Sequence, residues 1–146
     1  MAVVRGCNIP EDLSYNVENN VWARREADGT VTVGLTSYAC SLAGEIVAYT
    51  PKKTGKEVAK DKSCATVESG KWVGPVKIPV TGEVTKINDA VSAKPGLINK
   101  DPYGEGWVVR IKPTDWEGES TTLKTGQGAL QAFEAKMQAE GFKGCH

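Results

Sequence analysis

The chain has 146 residues, and its eighteen basic side chains balance eighteen acidic ones, so the formal net charge is zero. This length predicts a single domain over residues 1–146, with enough buried surface for a core. Zero net charge gives no overall field to attract nucleic acid or an anionic membrane. No apolar run reaches the roughly 20 residues that cross a bilayer, and the N-terminus turns polar too early for a signal peptide. We expect a cytoplasmic monomer with no nucleic-acid or membrane partner.

Histidine and cysteine usage narrows the chemistry. The only histidine is His146, the last residue, so a histidine general base, a Ser-His-Asp triad or a multi-histidine metal site is not expected. The cysteines are Cys7, Cys40, Cys64 and Cys145, and none forms a C-x-x-C pair typical of a zinc ribbon or a thioredoxin-type site. In a cytosolic protein we expect free thiols. If the four cysteines paired, three connectivities would be open.

Short segments separated by glycine and proline predict mainly β-structure. Asp28-Gly29 is a strong hairpin turn signal between two runs rich in Val and Thr. The compact segment Ser37–Ala43 predicts a short helix that ends at Gly44. Seven strands at this spacing predict a β-sandwich or flattened barrel of two antiparallel sheets. The predicted strands are Asn20–Arg25, Thr30–Leu35, Glu45–Thr50, Ser63–Ser69, Val76–Val80, Gly82–Ile87 and Trp107–Lys112.

The end of the chain changes to a helical pattern. Residues 127–140 contain few β-branched residues and place one apolar stripe on a helix face, formed by Leu130, Phe133 and Met137. Gly141 then predicts a Schellman stop, in which Phe142 folds back on the last turn. We expect this helix to lie on the sheet. The polar stretch 115–126 is predicted to be a linker loop.

Lys71 lies between two similar halves of the central chain, at the tip of a predicted hairpin. Gly55 lies sixteen residues before it and Gly82 eleven residues after it. No carboxylate is adjacent to this lysine in the sequence. The pattern therefore disfavours an ion pair and favours the presentation of an amine to a modifying enzyme, although an ordinary exposed lysine is the simpler alternative.

These two spacings, with Glu68 three residues before the lysine, resemble lipoyl domains. Over residues 9–115 the chain more narrowly resembles the H-protein of the glycine cleavage system. The motifs that carry this resemblance are IPEDLSY (9–15), DGTVTVGLT (28–36), YA (38–39), VESGK (67–71), PVTGEV (79–84) and LINKDPYGEGW (97–107). The resemblance implies a mainly β, lipoyl-domain-like fold with short N-terminal helices, a core over residues 9–115 and a C-terminal helix over about 127–140.

The resemblance also implies lipoic acid in amide linkage to Lys71, with Glu68, Ser69, Gly70 and Trp72 as flanking contacts for the ligase or the arm. Such a cofactor supplies the reversible disulfide while the protein supplies its position. The protein would be a non-catalytic carrier, served by a lipoate ligase or by lipoyl-transfer enzymes. Biotin is the alternative modification, and it is disfavoured because biotinyl domains typically flank the lysine with methionines.

The sequence departs from the H-protein pattern at positions that would lie on or near the docking face. Residues 19–22 replace an acidic stretch, Lys52 and Lys53 stand in a turn that is usually acidic, and Trp72 follows the lysine. Reversed charge disfavours a partner selected for acidic contacts. Trp72 is an anchor for a partner or a cover for the lipoyl ring, or it packs on the surface of its own hairpin.

These departures resemble the lipoate-binding proteins of bacterial sulfur oxidation, which work with a heterodisulfide-reductase-like complex. That resemblance implies an arm that holds sulfur as it is oxidised toward sulfite. The alternative is an H-protein that carries an aminomethyl group between glycine cleavage enzymes. A cysteine-based redox protein without a cofactor and a pure interaction module are the hypotheses from other classes.

A separate prediction is made for each cysteine. Cys64 lies in an apolar strand and is predicted to be a buried core thiol, and Cys40 is predicted to be structural. Cys7 and Cys145 are expected to be terminal thiols without function, with a disulfide or a sulfur relay as alternatives. Cys40, Cys7 and Cys145 are therefore the possible auxiliary thiols.

Overall fold

A computed structural model describes residues 2–145 of the protein. Within them, the strands are β1 (Val3–Val4), β2 (Cys7–Asn8), β3 (Ser14–Asn16), β4 (Val21–Arg25), β5 (Val31–Leu35), β6 (Ile46–Pro51), β7 (Glu57–Val58), β8 (Ser63–Ser69), β9 (Val73–Lys77), β10 (Gly82–Ile87), β11 (Val109–Pro113) and β12 (Lys124–Thr125). The helices are α1 (Ser37–Ala43), α2 (Asp89–Ala93), α3 (Leu97–Lys100), α4 (Trp116–Glu119) and α5 (Gly126–Ala139). None of these helices has the length and apolar character that a bilayer-spanning helix needs.

Two antiparallel sheets enclose the main core. The larger sheet has the strand order β12-β3-β4-β5-β11-β10-β7, and the second has the order β6-β8-β9. Val33 of β5, Val67 of β8 and Val84 of β10 are all fully buried in one shared apolar cluster. The predicted mainly β architecture of two antiparallel sheets is confirmed, and the sheets of the described residues do not close into a barrel.

Most of the predicted strands are present, with bounds close to those expected. β8 and β10 have the predicted bounds, β4 and β5 each begin one residue later, and β6 is shifted by one residue at both ends. The predicted position of β9 is wrong, because this strand spans Val73–Lys77 and not residues 76–80. Gly74 and Pro75 indicate a turn in sequence, yet β9 is an edge strand, where proline costs no ladder hydrogen bond.

Residues 2–35 form strands and turns without a helix, so the short helices of the predicted fold begin with α1. β1 and β2 form a small hairpin whose turn residues, Arg5 and Gly6, have φ angles of 47° and 80°. The first helix is α1, at the predicted position. Thr36 caps it through a side-chain oxygen that accepts the Ala39 N–H, and Gly44 ends it with a φ of 82°.

Helix α5 confirms the predicted C-terminal helix, whose bounds shift by one residue at each end. Phe133 and Met137 are fully buried. Gly141 has a φ of 67°, and the Phe142 N–H donates to the Met137 carbonyl at 2.9 Å, which is the predicted Schellman stop.

The stretch 115–126 is not the linker loop that its polar composition predicts. It contains α4, a 3₁₀ turn at Ser120–Thr122, and β12, which pairs with β3 at the edge of the larger sheet. Leu123 contributes to the main core. An edge strand as short as β12 has both residues exposed, so it carries no alternating pattern that sequence could reveal.

The two ends of the chain are joined by what we call the terminal clasp, which consists of the Cys7–Cys145 disulfide and the Arg5–Glu134 ion pair. The bridged residues have Cα atoms 5.0 Å apart and are separated by 138 positions in sequence. The Cys145 N–H also donates to the Arg5 carbonyl at 2.9 Å. The expectation of free thiols is therefore wrong for Cys7 and Cys145, because folding of α5 against the N-terminal hairpin brings the two sulfurs together.

Candidate functional site

Lys71 lies at the tip of the hairpin formed by β8 and β9. The hairpin stays paired up to Glu68 and Val73, and the Ser69 N–H donates to the Trp72 carbonyl at 2.7 Å. The Lys71 side chain is exposed. Within residues 2–145, no carboxylate lies at ion-pair distance from its Nζ. The amine is therefore solvated and open to another protein, as the sequence predicts.

Ser69 holds the hairpin tip against the end of α1. Its side chain is buried, and its hydroxyl donates to the Ala43 carbonyl at 2.5 Å and accepts the Lys71 N–H at 3.3 Å. The Lys71 side chain then runs past Gly44, where an added Cβ would lie 3.2 Å from Lys71 Cε. Gly44 thus provides both the positive φ and the room that the lysine stem needs.

The other predicted flanking residues differ in exposure. Glu68, Gly70 and Trp72 are exposed beside the lysine, whereas Ser69 lies beneath the loop. A Cβ built on Gly70 meets no atom within 4 Å, so the approach to Lys71 from this side is open. A contribution of Ser69 would therefore act through the loop conformation and not through direct surface contact.

Trp72 packs partly on its own hairpin and partly over a cavity. Its indole covers Gly74, where any side chain would collide with the ring, and the residue remains 39% exposed. The cavity beside it, about 220 Å³, has a largely apolar wall formed by Leu35, Ala39, Leu42, Ala43, Trp72 and Pro75, and it is completed by Asn19 and Asn20. Two departures from the H-protein pattern, at residues 19–20 and at Trp72, therefore border the same cavity.

The remaining departures lie away from the lysine. Trp22 is fully buried, and its Nε1 donates to the Leu35 carbonyl at 3.1 Å. In the second sheet, Ile46 pairs with Ser69, whereas Pro51 pairs with Ala65. Because β6 rises about 3.3 Å per residue, the turn with Lys52 and Lys53 lies roughly 17 Å along the strand from the lysine end. The structure therefore separates this turn from Lys71 along β6, and its place on or near the docking face stays a prediction.

The two free cysteines are core thiols. Cys40 donates to the Ile98 carbonyl at 3.4 Å, and Cys64 donates to the Val76 carbonyl at 3.3 Å. Burial raises the pKa of each thiol to about 12. Since the thiolate is the reactive form, neither side chain is an effective nucleophile near neutral pH. The predicted burial of Cys64 is confirmed.

Comparison with known proteins identifies the family. The family model described as "Glycine cleavage H-protein" matches residues 13–136. The chain belongs to the glycine cleavage H-protein family. It is 48% identical to glycine cleavage system H protein 5 of Aquifex aeolicus, over 98% of this chain and 99% of that one. It is 45% identical to probable glycine cleavage system H protein 2 of Saccharolobus solfataricus, over 96% of this chain and 95% of that one.

A solved structure agrees with this assignment. The crystal structure of a glycine cleavage system H protein from Mycobacterium marinum is 36% identical to the chain, covers 73% of it and 87% of its own length, and has a TM-score of 0.67. H-proteins are non-catalytic carriers with lipoate attached covalently to a lysine, so the predicted class of carrier is confirmed. The narrower expectation of sulfur oxidation with a heterodisulfide-reductase-like complex finds no support in these comparisons.

Two contributors to the site of this H-protein family member were not singled out in the sequence. Gly44 was expected only to end α1, yet it also makes room for the lysine stem. Asn99 bridges the connection beneath Lys71, because its Nδ2 donates to the Gly44 carbonyl and its Oδ1 accepts the Ile46 N–H, both at 2.8 Å. Its place inside the motif of residues 97–107 is the only sequence signal for that role.

Proposed function

We propose that the protein carries a lipoyl group in amide linkage to Nζ of Lys71. The observation that supports this most directly is an exposed lysine with no ion-pair partner among residues 2–145, at the tip of a hairpin in an H-protein family chain. Attachment to a partner-free amine requires no ion pair to break. The open space at Gly70 would let a lipoate ligase or a lipoyl-transfer enzyme reach the lysine.

The chain's own residues position the amine and shelter what it carries. Ser69 and Gly44 set the direction of the lysine stem. Trp72 and Leu42 border the neighbouring cavity of about 220 Å³ and would cover an apolar ring on the arm. When attached, the lipoyl group supplies a cyclic disulfide that opens to hold a transferred group on one sulfur and leaves a thiol on the other.

We propose that the transferred group is the aminomethyl group of glycine cleavage and that the partners are glycine cleavage enzymes. The support is that the relatives from Aquifex, Saccharolobus and Mycobacterium are named glycine cleavage system H proteins. The basic turn with Lys52 and Lys53 lies far along β6 from Lys71, so its reversed charge is only weak evidence against glycine cleavage partners.

The attachment site is tested by intact-mass analysis after expression with a lipoylating enzyme. The wild-type chain should gain one lipoyl group, and Lys71→Arg should gain none. Lys77→Arg is the matched control, because Lys77 is exposed on β9 of the same hairpin and should leave modification unchanged. Full modification of Lys71→Arg would refute the assignment.

The cargo is tested by replacing an authentic H-protein in a reconstituted glycine oxidation assay. We expect the lipoylated chain to support turnover and Lys71→Arg to support none. A lipoylated chain that fails here, but becomes persulfidated with a heterodisulfide-reductase-like complex, would instead favour sulfur transfer.

A further inference from the structure

A second cavity, about 300 Å³, lies along the opposite face of α1 from the Trp72 cavity. Ser37, Cys40 and Ser41 border it, and these positions are about half a turn away from Ala39, Leu42 and Ala43 on the helix. Its wall has no charged side chain, and it is lined by Gly6, Cys7, Asn8, Ser37, Cys40, Ser41, Asn99 and Cys145. A neutral group can enter this cavity without meeting a charged side chain.

The Cys7–Cys145 bridge forms one end of this cavity. Cys7 is fully buried, whereas Cys145 is only partly buried, and its Sγ lies 3.8 Å from the Ser37 carbonyl at the start of α1. Exchange requires access to one sulfur of a disulfide. The exposed side of the bridge is therefore Cys145, with Cys7 as the leaving sulfur.

Asn99 connects this cavity to the lysine end of α1 through Gly44. Asn99 lines the cavity and bonds to the Gly44 carbonyl, and Lys71 Cε packs over Gly44. Helix α1 has seven residues, so it separates the two ends by about 10 Å. A lipoyl group adds roughly seven bonds of about 1.5 Å each beyond Nζ, or ~10 Å, and rotation of the lysine stem adds further reach.

Cys40 borders the cavity but does not compete for the bridge. Its thiol is buried, donates to the Ile98 carbonyl, and has a pKa raised to about 12 by burial. It stays protonated near neutral pH and is a poor attacking group. The dithiol of an arm on Lys71 is then the nucleophile that the geometry brings to the bridge.

We propose that the Cys7–Cys145 disulfide is an internal electron acceptor for the dihydrolipoyl form of the arm. This inference rests on the proposed function of Lys71. Cys145 Sγ bonds to one arm sulfur as its bond to Cys7 breaks, and Cys7 takes up a proton. The second arm sulfur then displaces Cys145, which also leaves as a thiol. The arm loses two electrons and two protons and closes to the cyclic disulfide, while the bridge becomes two thiols.

The test uses the full lipoylated chain, with its modification verified by mass. In the absence of oxygen, dihydrolipoamide dehydrogenase and NADH reduce the arm. Iodoacetamide then alkylates free thiols at timed intervals, and peptide mapping measures the alkylated fraction of Cys7 and Cys145. The reference is Lys71→Arg with free dihydrolipoamide at the same concentration. We expect opening at least about tenfold faster in the lipoylated chain, at a rate unchanged by dilution, because a tethered group has an effective concentration in the millimolar range.

A cavity-filling variant tests the route. Ser41 is exposed at the near end of this cavity, and Ser41→Trp should slow opening of the bridge while reduction of the arm continues. Ser92→Trp, at an exposed position of α2 outside this cavity, is the matched control and should open like the wild type.

The outcomes separate the two proposals. A bridge that stays closed, or opens no faster than in the reference, refutes the internal acceptor when Lys71 is lipoylated. Equal rates for Ser41→Trp and the wild type refute the route through this cavity. Absence of a lipoyl group on Lys71 refutes the proposed function, and the inference falls with it.

Discussion

The hairpin tip at Lys71 and the terminal clasp differ in how the chain holds them. At the tip, two hydrogen bonds of Ser69 and the room at Gly44 set the position of an exposed lysine. At the clasp, a disulfide and an ion pair fix the ends of the chain, next to an edge-to-face contact between Tyr38 and Phe142. The protein thus restrains both end regions by a covalent bond and leaves the Lys71 amine accessible.

The difference shows where the fold needs support. Lys71, the proposed attachment site, is exposed to solvent, and its loop is held from below by the Ser69 hydrogen bond to the end of α1. The N-terminal end has only the hairpin of β1 and β2, of two residues each, and such short strands contribute few ladder hydrogen bonds. A cross-link between distant residues offsets this weakness, because it removes conformations from the unfolded chain.

The largest expected change comes from opening the clasp. A loop closed over 138 positions predicts a loss of up to about 5 kcal/mol in the free energy of unfolding when the bridge is reduced, and of about 2–4 kcal/mol in a typical case. Urea denaturation with and without tris(2-carboxyethyl)phosphine measures it. Cys145→Ser is the control and should show no response to the reductant. Equal stability of the reduced and oxidised wild type would mean that α5 needs no cross-link.

A smaller loss of stability is expected from a substitution at Gly44, beside the Lys71 stem. Gly44 has a φ of 82° and a ψ of −171°, a conformation that is strained for other residues, so Gly44→Ala should cost about 1–3 kcal/mol and displace the Lys71 stem. Gly55 has a similar φ of 89° but open space around it, so Gly55→Ala is the matched comparison. Chemical denaturation of both variants should show the larger loss for Gly44→Ala. The reverse order would mean that the lysine contact is unimportant.

The base of the same hairpin should respond to alkaline pH. Burial raises the pKa of Cys64 from its ordinary value of about 9 to about 12, so its protonated form stabilises the fold below pH 9. This contribution is lost as pH rises from about 9 toward 12. Cys64→Ser lacks this titration, and its stability difference from the wild type should shrink over that range. Parallel stability curves, measured by urea unfolding at each pH, would contradict the assignment.

The smallest change is expected for the ion pair of the clasp. Arg5 and Glu134 pair at 2.9 Å, but their side chains are 30% and 48% exposed. Exposed pairs of this kind contribute less than about 1 kcal/mol. Glu134→Gln should therefore shift the denaturation midpoint only slightly, and added salt should reduce the shift further. If Glu134→Gln lowered the free energy of unfolding as much as reduction of the bridge does, the ion pair and not the disulfide would be the main stabilising contact of the clasp.

Sequence patterns predicted much of the fold and the position of Lys71. The alternation in β8 and β10, the turn at Asp28-Gly29 and the helical stripe of α5 are local signals, and each led to the correct element. The exposed tip also follows from local features, since a glycine-flanked turn with no neighbouring carboxylate leaves an amine in water. The motifs around residues 67–71 and 97–107 then led to the correct family.

Tertiary structure alone decided the features that depend on distant contacts. The Cys7–Cys145 bridge joins residues 138 positions apart, and no spacing rule selects it from three connectivities. The separation of the Lys52 turn from Lys71, and the two cavities on opposite faces of α1, follow from strand register and helix packing. Sequence determined the family motifs, the local turns and the exposure of Lys71, because these depend on residues close together in the chain. Folding determined which of them meet, because long-range contacts depend on how the whole core packs.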